Sequence, residues 1–593
     1  MKTLPFKTIH HQVDFCVVGG GLAGTFAAIS AARMGKKVLL MQDRPMLGGN
    51  ASSEIRMWIC GAHGSNLRET GLLEEMELEN LYRNADRNYS VRDYLLYEMA
   101  QYQDNLTLLL NCSCLSCEME NGRIESVYGW QTTTQQYHNV CATLFADCSG
   151  DSVLAPLTGA QFRIGRESRN EYGESLAPEE SDTKTMGLSC LIQARQLSQP
   201  DTFIAPSWAA PITKESLEPY RLPNMDLPHE NYWYLELGGD RDSINDTEVL
   251  RKELLEEAMG LWNYIKNDPE NVEKNRFWHL DWIGFLPGKR ESRRYVGDYT
   301  IHQNDVINQT VFDDIVAYGG WSMDTHHPSG MRTKEKPTIY HAAPSPYGIP
   351  YRCLYSVNVS NLMFAGRNIS CTHMAFSSCR VMATCAIMGQ AIGTAAALCL
   401  KKEITPRELS LIPEGVEELK QTLMRDDCYL PGQRRILSSI MEDAKISGID
   451  HSDLLINGID RPVDDVDNGC YVKIGESVTL SFPEKRSVHR LRLVFDSNLD
   501  RVMPYDEERT LKRSSLCNRP LNCPDVKVPE TLVREFRVDI LDKDGFWKTV
   551  CLKKECHQRL VYVPLDTVTD SIRFVPLTTW GAEDCHLFAL DAE

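Results

Sequence analysis

The chain has 593 residues, with 63 Lys and Arg against 82 Asp and Glu for a formal net charge of −19, and 42% of its residues are hydrophobic. At roughly 100–200 residues per domain this is several domains of chain, and the apolar fraction suits packed cores rather than disorder, a small disulfide scaffold or a fibre. The acidic surplus argues against nucleic acid or an anionic membrane as a general partner, because a phosphate-tracking surface needs clustered Lys and Arg.

The opening MKTLPFKTIHHQVD carries no apolar secretion core, so a cytoplasmic setting is expected. The 20 cysteines are then expected as reduced thiols rather than disulfides.

Between Val13 and Gln42 an apolar run, Phe15 to Val18, meets Gly19-Gly20-Gly21-Leu22-Ala23-Gly24. An Ala-rich segment leads on to a second apolar run, Val38 to Met41. This reads as strand, glycine turn, helix, strand. In a turn so placed Gly19 permits the tight bend, Gly21 lets a pyrophosphate approach the backbone, and Gly24 lets helix pack on strand. The helix N-terminus offers free N–H groups and a positive dipole end to the phosphates. The second strand should end in an acidic side chain for the ribose, yet it ends in Gln42-Asp43-Arg44. Either the Gln42 amide or Asp43 can bond the ribose hydroxyls. Arg44 alone would suggest a 2′-phosphate, against which the following residues speak.

Residues 86–100 have helical spacing, while Leu106 to Leu110 and Val127-Tyr128 read as short strands of a hairpin or meander. Cys112, Cys114 and Cys117 lie between them and read as core cysteines. Leu144 to Ala146 is a strand ended by Asp147-Cys148-Ser149-Gly150-Asp151. From about 165 to 354 the chain is rich in Pro and aromatics and poorly periodic, as expected of a substrate-side insertion. Leu362 to Gly366 returns to a strand entering a glycine turn.

The next segment, Val381 to Leu400, is uncharged, about the length of a membrane span, and holds Gly389 and Gly393 at GxxxG spacing. Its Ala, Gly, Cys and Thr content suits a helix buried in a nucleotide-binding domain at least as well. A polar helical linker follows, containing ELKQTLMRDD and RRILSSIMEDAK. From about 451 the pattern alternates with period two: Val478 to Phe482, Leu491 to Phe495, Phe536 to Ile540, Leu560 to Val563 and Ile572 to Val575 predict an antiparallel β-sandwich.

The second glycine pair, in Met46-Leu47-Gly48-Gly49-Asn50-Ala51-Ser52-Ser53-Glu54, resembles the flavoproteins with the glutathione-reductase type of FAD fold, which include fumarate reductases. The nearer likeness is to the large FAD-dependent oxidoreductases of the heterodisulfide-reductase-like group. Asp147 to Asp151 resembles their "DATGD" turn, Pro287 to Arg294 their "GRESRR" segment, and Gly348 to Arg352 their "IPYR" segment. Ala365-Gly366-Arg367-Asn368, Arg380 to Thr384 and Gly389-Gln390 resemble the final flavin-binding strand and helix. The likeness covers about residues 12–405. The cysteine runs of the iron–sulfur members are missing.

This resemblance implies FAD as cofactor, with Gly19, Gly21, Gly24, Gln42, Asp43, Arg44, Gly48, Gly49, Asn50, Ser52, Gly150, Asp151, Gly366, Arg367, Gly389 and Gln390 as the residues that bind it. It implies an α/β fold: a Rossmann-type FAD-binding domain in two parts (1–165 and 355–405) around an α+β substrate domain (166–354); the periodicity beyond it adds a helical linker (406–450) and an all-β sandwich (451–593). The last helix of such a fold points its N-terminus at the flavin, where its dipole stabilises the negative charge that reduction brings.

A flavin dehydrogenase needs a base for the substrate proton and cations to hold a polar substrate. His373, seven residues after Gly366, is the first candidate base; a histidine that only bonds flavin carbonyls or backbone is the alternative. His63 and the pair His326-His327 come second. Arg290 and Arg294, with Glu291 and Arg293, form either a substrate clamp or an internal ion-pair network. No metal site is expected, since Cys517, Cys523, Cys551, Cys556, His557, Cys585 and His586 lack C-x₂-C spacing. Phe574 to Gly581, which includes Trp580, is similar to the last strand of galactose-binding-like jelly rolls and hints at a carbohydrate.

The expected function is a soluble FAD-dependent oxidoreductase that takes a hydride from a small polar substrate, with a sugar or polyol CH–OH favoured, and passes electrons to an acceptor the sequence does not identify. The alternatives are CH–CH oxidation or C=C reduction of a carboxylate, and a non-catalytic carbohydrate-binding flavoprotein. Nucleic acid and a membrane span are not expected, and the oligomeric state is left open.

Overall fold

The computed structural model describes residues 6–505, 513 and 515–593. The chain divides into two compact units: Met1–His63, Arg87–Leu419 and Met503–Pro524 form the first, and Gly64–Asp86, Lys420–Val502 and Asp525–Glu593 the second. Two segments depart from the expected division. Residues 64–86 belong with the second unit, where Glu74 bonds Ser497 and Arg501. Residues 503–524 belong with the first, where the short strand Asn518–Arg519 pairs with Ile192–Gln196.

The first unit is built on strands β1 (Thr8–Val18), β2 (Val38–Met41), β3 (Leu106–Leu109), β4 (Cys112–Glu120), β5 (Arg123–Gln131) and β6 (Gln136–Asp147), in the order β3-β2-β1-β6-β5-β4, with Leu362–Phe364 added beside β6. The apolar end of β1 and the whole of β2 are buried, as central parallel strands require. β3 is no hairpin strand: it runs parallel beside β2, and the antiparallel meander is β4-β5-β6. Within β4, Cys112 is buried while Cys114 and Cys117 are half-buried.

Helix α1 (Leu22–Arg33) lies against the helix Met382–Lys402. A Cβ on Gly389 would stand 2.1 Å from the Ala23 carbonyl oxygen, and one on Gly393 2.2 Å from that of Ala27. Ser30 and Thr394 share a hydrogen bond of 2.8 Å at the same contact. The GxxxG spacing therefore serves helix packing inside the unit. The most apolar window of the Met382–Lys402 helix is 94% buried.

The insertion folds as small two- and three-stranded sheets around the helix Thr247–Asn267, whose Leu250, Leu254, Ala258, Leu261, Trp262 and Ile265 are buried. Past the FAD-type fold, Pro406–Leu411 and Pro413–Arg425 are helical as expected, but RRILSSIMEDAK is not: it holds only the 3₁₀ turn Ser439–Met441. Arg435 in this stretch is drawn into the interior of the second unit, where it bonds Asp591 at 2.8 Å and Asp460 at 3.4 Å, and that tertiary demand overrides local helix propensity.

The second unit is built on a β-sandwich of seven strands, ordered Cys470–Lys473, Asp584–Ala592, Val478–Phe495, Leu560–Thr579, Val533–Leu541, Trp547–Lys553, with Lys445–Ser447 also on Val478–Phe495, and includes the helix Leu72–Arg83. Every pairing is antiparallel. Two pairs of the expected runs are joined into single long strands, Val478–Phe495 and Leu560–Thr579, each bent at register shifts. Phe495, Phe536 and Phe574 meet at ring separations of 5.7 to 5.9 Å in the core.

Candidate functional site

The glycine turn leaves β1 at Gly19, whose φ of +103° and a Cβ position 2.4 Å from Ser149 N admit only glycine. Gly24 lies against the Gly19 carbonyl, so α1 seats directly on the turn. Gly21 faces open space, with Gly49 Cα, 4.0 Å away, the nearest atom to a Cβ placed there. Gly48 N–H donates to Gly20 O at 2.8 Å and draws the second glycine pair beside the first.

Gln42 serves this turn and not a ribose. Its Oε1 accepts the Gly20 N–H at 2.7 Å and its Nε2 donates to Met46 O at 2.9 Å, with 2% of the residue exposed. Of the two ribose candidates Asp43 is the exposed one, and Arg44 stands 3.7 Å from Asp43 and 3.4 Å from Glu54. Asn50 donates to Lys289 O at 3.0 Å.

Past the end of the neighbouring parallel strand β6, Gly150 sits against the Arg367 guanidinium. Asp151 receives Lys289 Nζ at 2.7 Å, Arg367 Nη2 at 2.5 Å and Ser292 Oγ at 2.7 Å. Burial pushes the Asp151 carboxyl up, but the charges of Arg367 and Lys289 overcome it and hold the group well below the usual carboxylate range. Gly366, at a φ of +110°, opens toward Asn368. Gly389 is spent on packing against α1, and Gln390 is buried in the same helix.

Around this cradle Ser52 Oγ, Asn368 Oδ1 and Thr384 Oγ1 are buried polar atoms without a hydrogen-bond partner. Buried polar groups are ordinarily satisfied. These atoms, the open face of Gly21 and the N-terminus of α1 fit a bound dinucleotide.

A cavity of about 310 Å³ continues from the cradle, with Asn50 and Arg367 at its edge. Its apolar walls include Trp58, Trp233 and Trp321, and its polar ones His63, Lys289, Arg290, Asp324, His326, Tyr340 and Arg380. His63 stacks on Trp321 at 4.5 Å. His326 lies between two carboxylates, with Nδ1 2.6 Å from Glu236 Oε2 and Nε2 3.4 Å from Asp324 Oδ2. Asp324 also faces Arg380 at 3.3 Å, and Glu236 faces Arg290 at 3.5 Å. Burial raises both carboxyls, but His326 and Arg380 at Asp324, and Arg290 and His326 at Glu236, bring each below its ordinary value. Burial, followed by the nearby Asp324 charge, pushes the Tyr340 hydroxyl up.

Two of the expected catalytic residues are not on this wall. His373 starts the helix His373–Cys379, is 5% exposed, and turns its Nδ1 to Glu291 at 3.0 Å while its backbone N–H donates to Glu167 at 2.8 Å. Arg294 is fully buried, 3.0 Å from Glu167 and 3.3 Å from Glu291, and bonds the carbonyls of Gly165 and Cys371. The GRESRR-like segment thus divides: Arg290 reaches the cavity, and Arg294 with Glu291 forms an internal ion-pair network. Of the histidine pair only His326 lines the cavity, and His327 faces Glu335.

Glu236, Asp324 and the three tryptophans are functional positions that motif reading does not reach. They come from different short stretches of chain, so no fixed spacing links them. One signal is present: Glu236 is a lone acid inside the apolar run Tyr232-Trp233-Tyr234-Leu235-Glu236-Leu237. Among the described residues no group of three or more His, Cys, Asp and Glu side chains could hold a metal ion.

A family model described as "FAD dependent oxidoreductase" matches residues 14–423. A fumarate reductase (cytochrome) from Shewanella frigidimarina is 55% identical over 42 residues, which is 7% of this chain and 7% of that protein. Among solved structures, a geranylgeranyl bacteriochlorophyll reductase-like protein from Thermoplasma acidophilum is 13% identical, covers 71% of this chain and 85% of its own, and has a TM-score of 0.30. The family 32 carbohydrate-binding module of Streptococcus pneumoniae EndoD is 14% identical and covers 26% of this chain and 99% of its own, with a TM-score of 0.18.

Proposed function

Because the chain belongs to the FAD dependent oxidoreductase family and takes FAD as its cofactor, we propose that its cavity oxidises the CH–OH of a small neutral hydroxylated compound, a sugar or polyol, to the carbonyl. The observation that carries this reading is the pairing of charge on the wall. Arg290 is matched by Glu236 and Arg380 by Asp324, while Lys289 and Arg367, toward the cradle, share the single carboxylate of Asp151. A clamp for a dicarboxylate needs cations left uncompensated until the substrate arrives. Paired charges instead present donors and acceptors side by side, which suits hydroxyl groups. Trp58, Trp233 and Trp321 supply apolar faces for C–H bonds.

Bound FAD supplies the hydride acceptor. The chain's own residues orient the substrate and handle its proton. His63, on the cavity wall, takes the hydroxyl proton as the C–H bond breaks. His326, with both ring nitrogens against carboxylates, holds Glu236 and Asp324 in place, and Arg380 is the donor to the substrate oxygen. The free cysteines of the chain support a cytoplasmic setting.

The test is anaerobic mixing of the FAD-loaded protein with sugars, polyols, hydroxy acids and dicarboxylates while flavin absorbance is followed. Neutral sugars or polyols are expected to bleach the flavin. Bleaching by saturated dicarboxylates alone, or reoxidation of the reduced flavin by unsaturated ones alone, would overturn the reading in favour of CH–CH chemistry.

A further inference from the structure

Trp58, one wall of the cavity, is fixed at its polar end by a residue from the far end of the sequence. Its indole Nε1–H donates to Cys517 Sγ at 3.4 Å, and Gln193 Nε2 donates to the same sulfur at 3.7 Å. The thiol donates in turn to Ser515 O at 3.4 Å. Cys517 belongs to the segment that returns to the first unit. Its backbone is held on both sides, Cys517 N–H donating to Pro228 O at 2.7 Å and Ala194 N–H to Cys517 O at 3.1 Å. The sulfur therefore has little freedom to follow the indole, and the indole must follow the sulfur. Burial pushes the thiol up to about 11, against the hydrogen bonds from Trp58, Tyr89 and Gln193. It is a neutral acceptor rather than a nucleophile.

We propose that Cys517 is a positioning residue for substrate binding: through the indole N–H it sets the angle at which Trp58 presents its face to the cavity. The proposal rests on this cavity being the substrate site. A thiol suits the task because it accepts the indole N–H and packs as a small apolar group against its neighbours. The bond lies outside the cavity wall, so the residue acts on the substrate only through Trp58.

The experiment compares FAD-loaded Cys517→Ala, Cys517→Ser, Trp58→Phe and the Cys517→Ala/Trp58→Phe double variant. With whichever compound reduces the flavin, Cys517→Ala is expected to raise KM about three- to tenfold, the loss of one hydrogen bond, with kcat within about twofold. Cys517→Ser, which keeps an acceptor, is expected to restore most of KM. Cys517→Ala is expected to add nothing once Trp58 is Phe. Equal KM effects with and without the indole N–H, or a serine that behaves as alanine does, overturn the proposal.

A second readout needs no substrate. Cys517→Ala is expected to shift tryptophan emission in the wild-type background and leave it unshifted in Trp58→Phe. An identical shift in both backgrounds, or none in either, refutes the bond whatever the substrate proves to be. A shift confined to the wild-type background, with no sugar or polyol reducing the flavin, upholds the bond and rejects the substrate reading alone.

Discussion

His326 Nδ1 lies 2.6 Å from Glu236 Oε2, and both residues are buried. Glu236 has no place on the cavity wall itself. It acts on the cavity through the residues it holds there, His326 and Arg290.

Glu236→Gln keeps the shape and removes the charge that Arg290 and the His326 ring face. The variant is expected to retain FAD and to lose about 10- to 100-fold in kcat/KM, the scale of a buried charged hydrogen bond. Steady-state kinetics with flavin content measured in parallel checks this, and unchanged kcat/KM would remove Glu236 from the site.

His63→Gln and His373→Gln are expected to differ in kind. Loss of the cavity-wall base should slow flavin reduction about 10²- to 10⁴-fold with little change in thermal midpoint. His373→Gln leaves the buried Glu291 without its imidazole partner, so its thermal midpoint should fall while flavin reduction by the surviving protein stays within about tenfold. Stopped-flow absorbance and thermal unfolding separate the two, and the reverse pattern would reinstate His373 as the base.

Gly389→Ala places a methyl group 2.1 Å from the Ala23 carbonyl oxygen. Backbone cannot yield as a flexible side chain does, so α1 and the glycine turn it opens must shift. The expected cost is about 1–3 kcal/mol or more, together with loss of FAD on gel filtration. Flavin absorbance of the eluted protein and its thermal midpoint are the measurements.

In the second unit Glu74 accepts Ser497 Oγ at 2.6 Å and Arg501 at 2.7 and 2.8 Å. Burial pushes its carboxyl up, but Arg501, then Arg68, bring it down to about 2. A folded-state value below the unfolded one stabilises above the unfolded value, about 4.3, and that contribution is lost as pH falls toward 2. Glu74→Gln should therefore destabilise this unit at pH 7 by about 3 kcal/mol, with the deficit shrinking between pH 4.5 and about 2. Denaturant unfolding at both ends of that window tests the sign, and a deficit that does not change with pH would contradict it.

What can be read from the sequence is what neighbouring residues encode together. The glycine turn at Gly19 to Gly24, the buried helix holding Gly389 and Gly393, and the period-two strands after 451 all carry their signal locally, as steric and hydrophobic patterns do. The helix Thr247–Asn267 has such a signal too, in the spacing of Leu250, Leu254, Ala258, Leu261 and Ile265, but it is set in irregular surroundings that mask it. Gln42 occupies the ribose slot by position, yet its amide is consumed by Gly20 and Met46, a competition visible only once the turn is folded. The cavity is the least legible part. His63, Glu236, Arg290, Asp324 and Arg380 come from five separate stretches of chain, and only tertiary packing brings them together.

The Trp58–Cys517 contact also bears on how the protein is made. The partners are 459 residues apart, and at about 5–20 residues per second a ribosome needs about 20–90 s to bridge that gap. Until then the wall of the cavity has no acceptor for its indole N–H, and Ala194 N–H has no carbonyl to meet. The N-terminal 419 residues lack the segment that carries Cys517, and with it the acceptor that fixes Trp58. Completion of the oxidoreductase unit is thus deferred until translation has passed well into the sandwich.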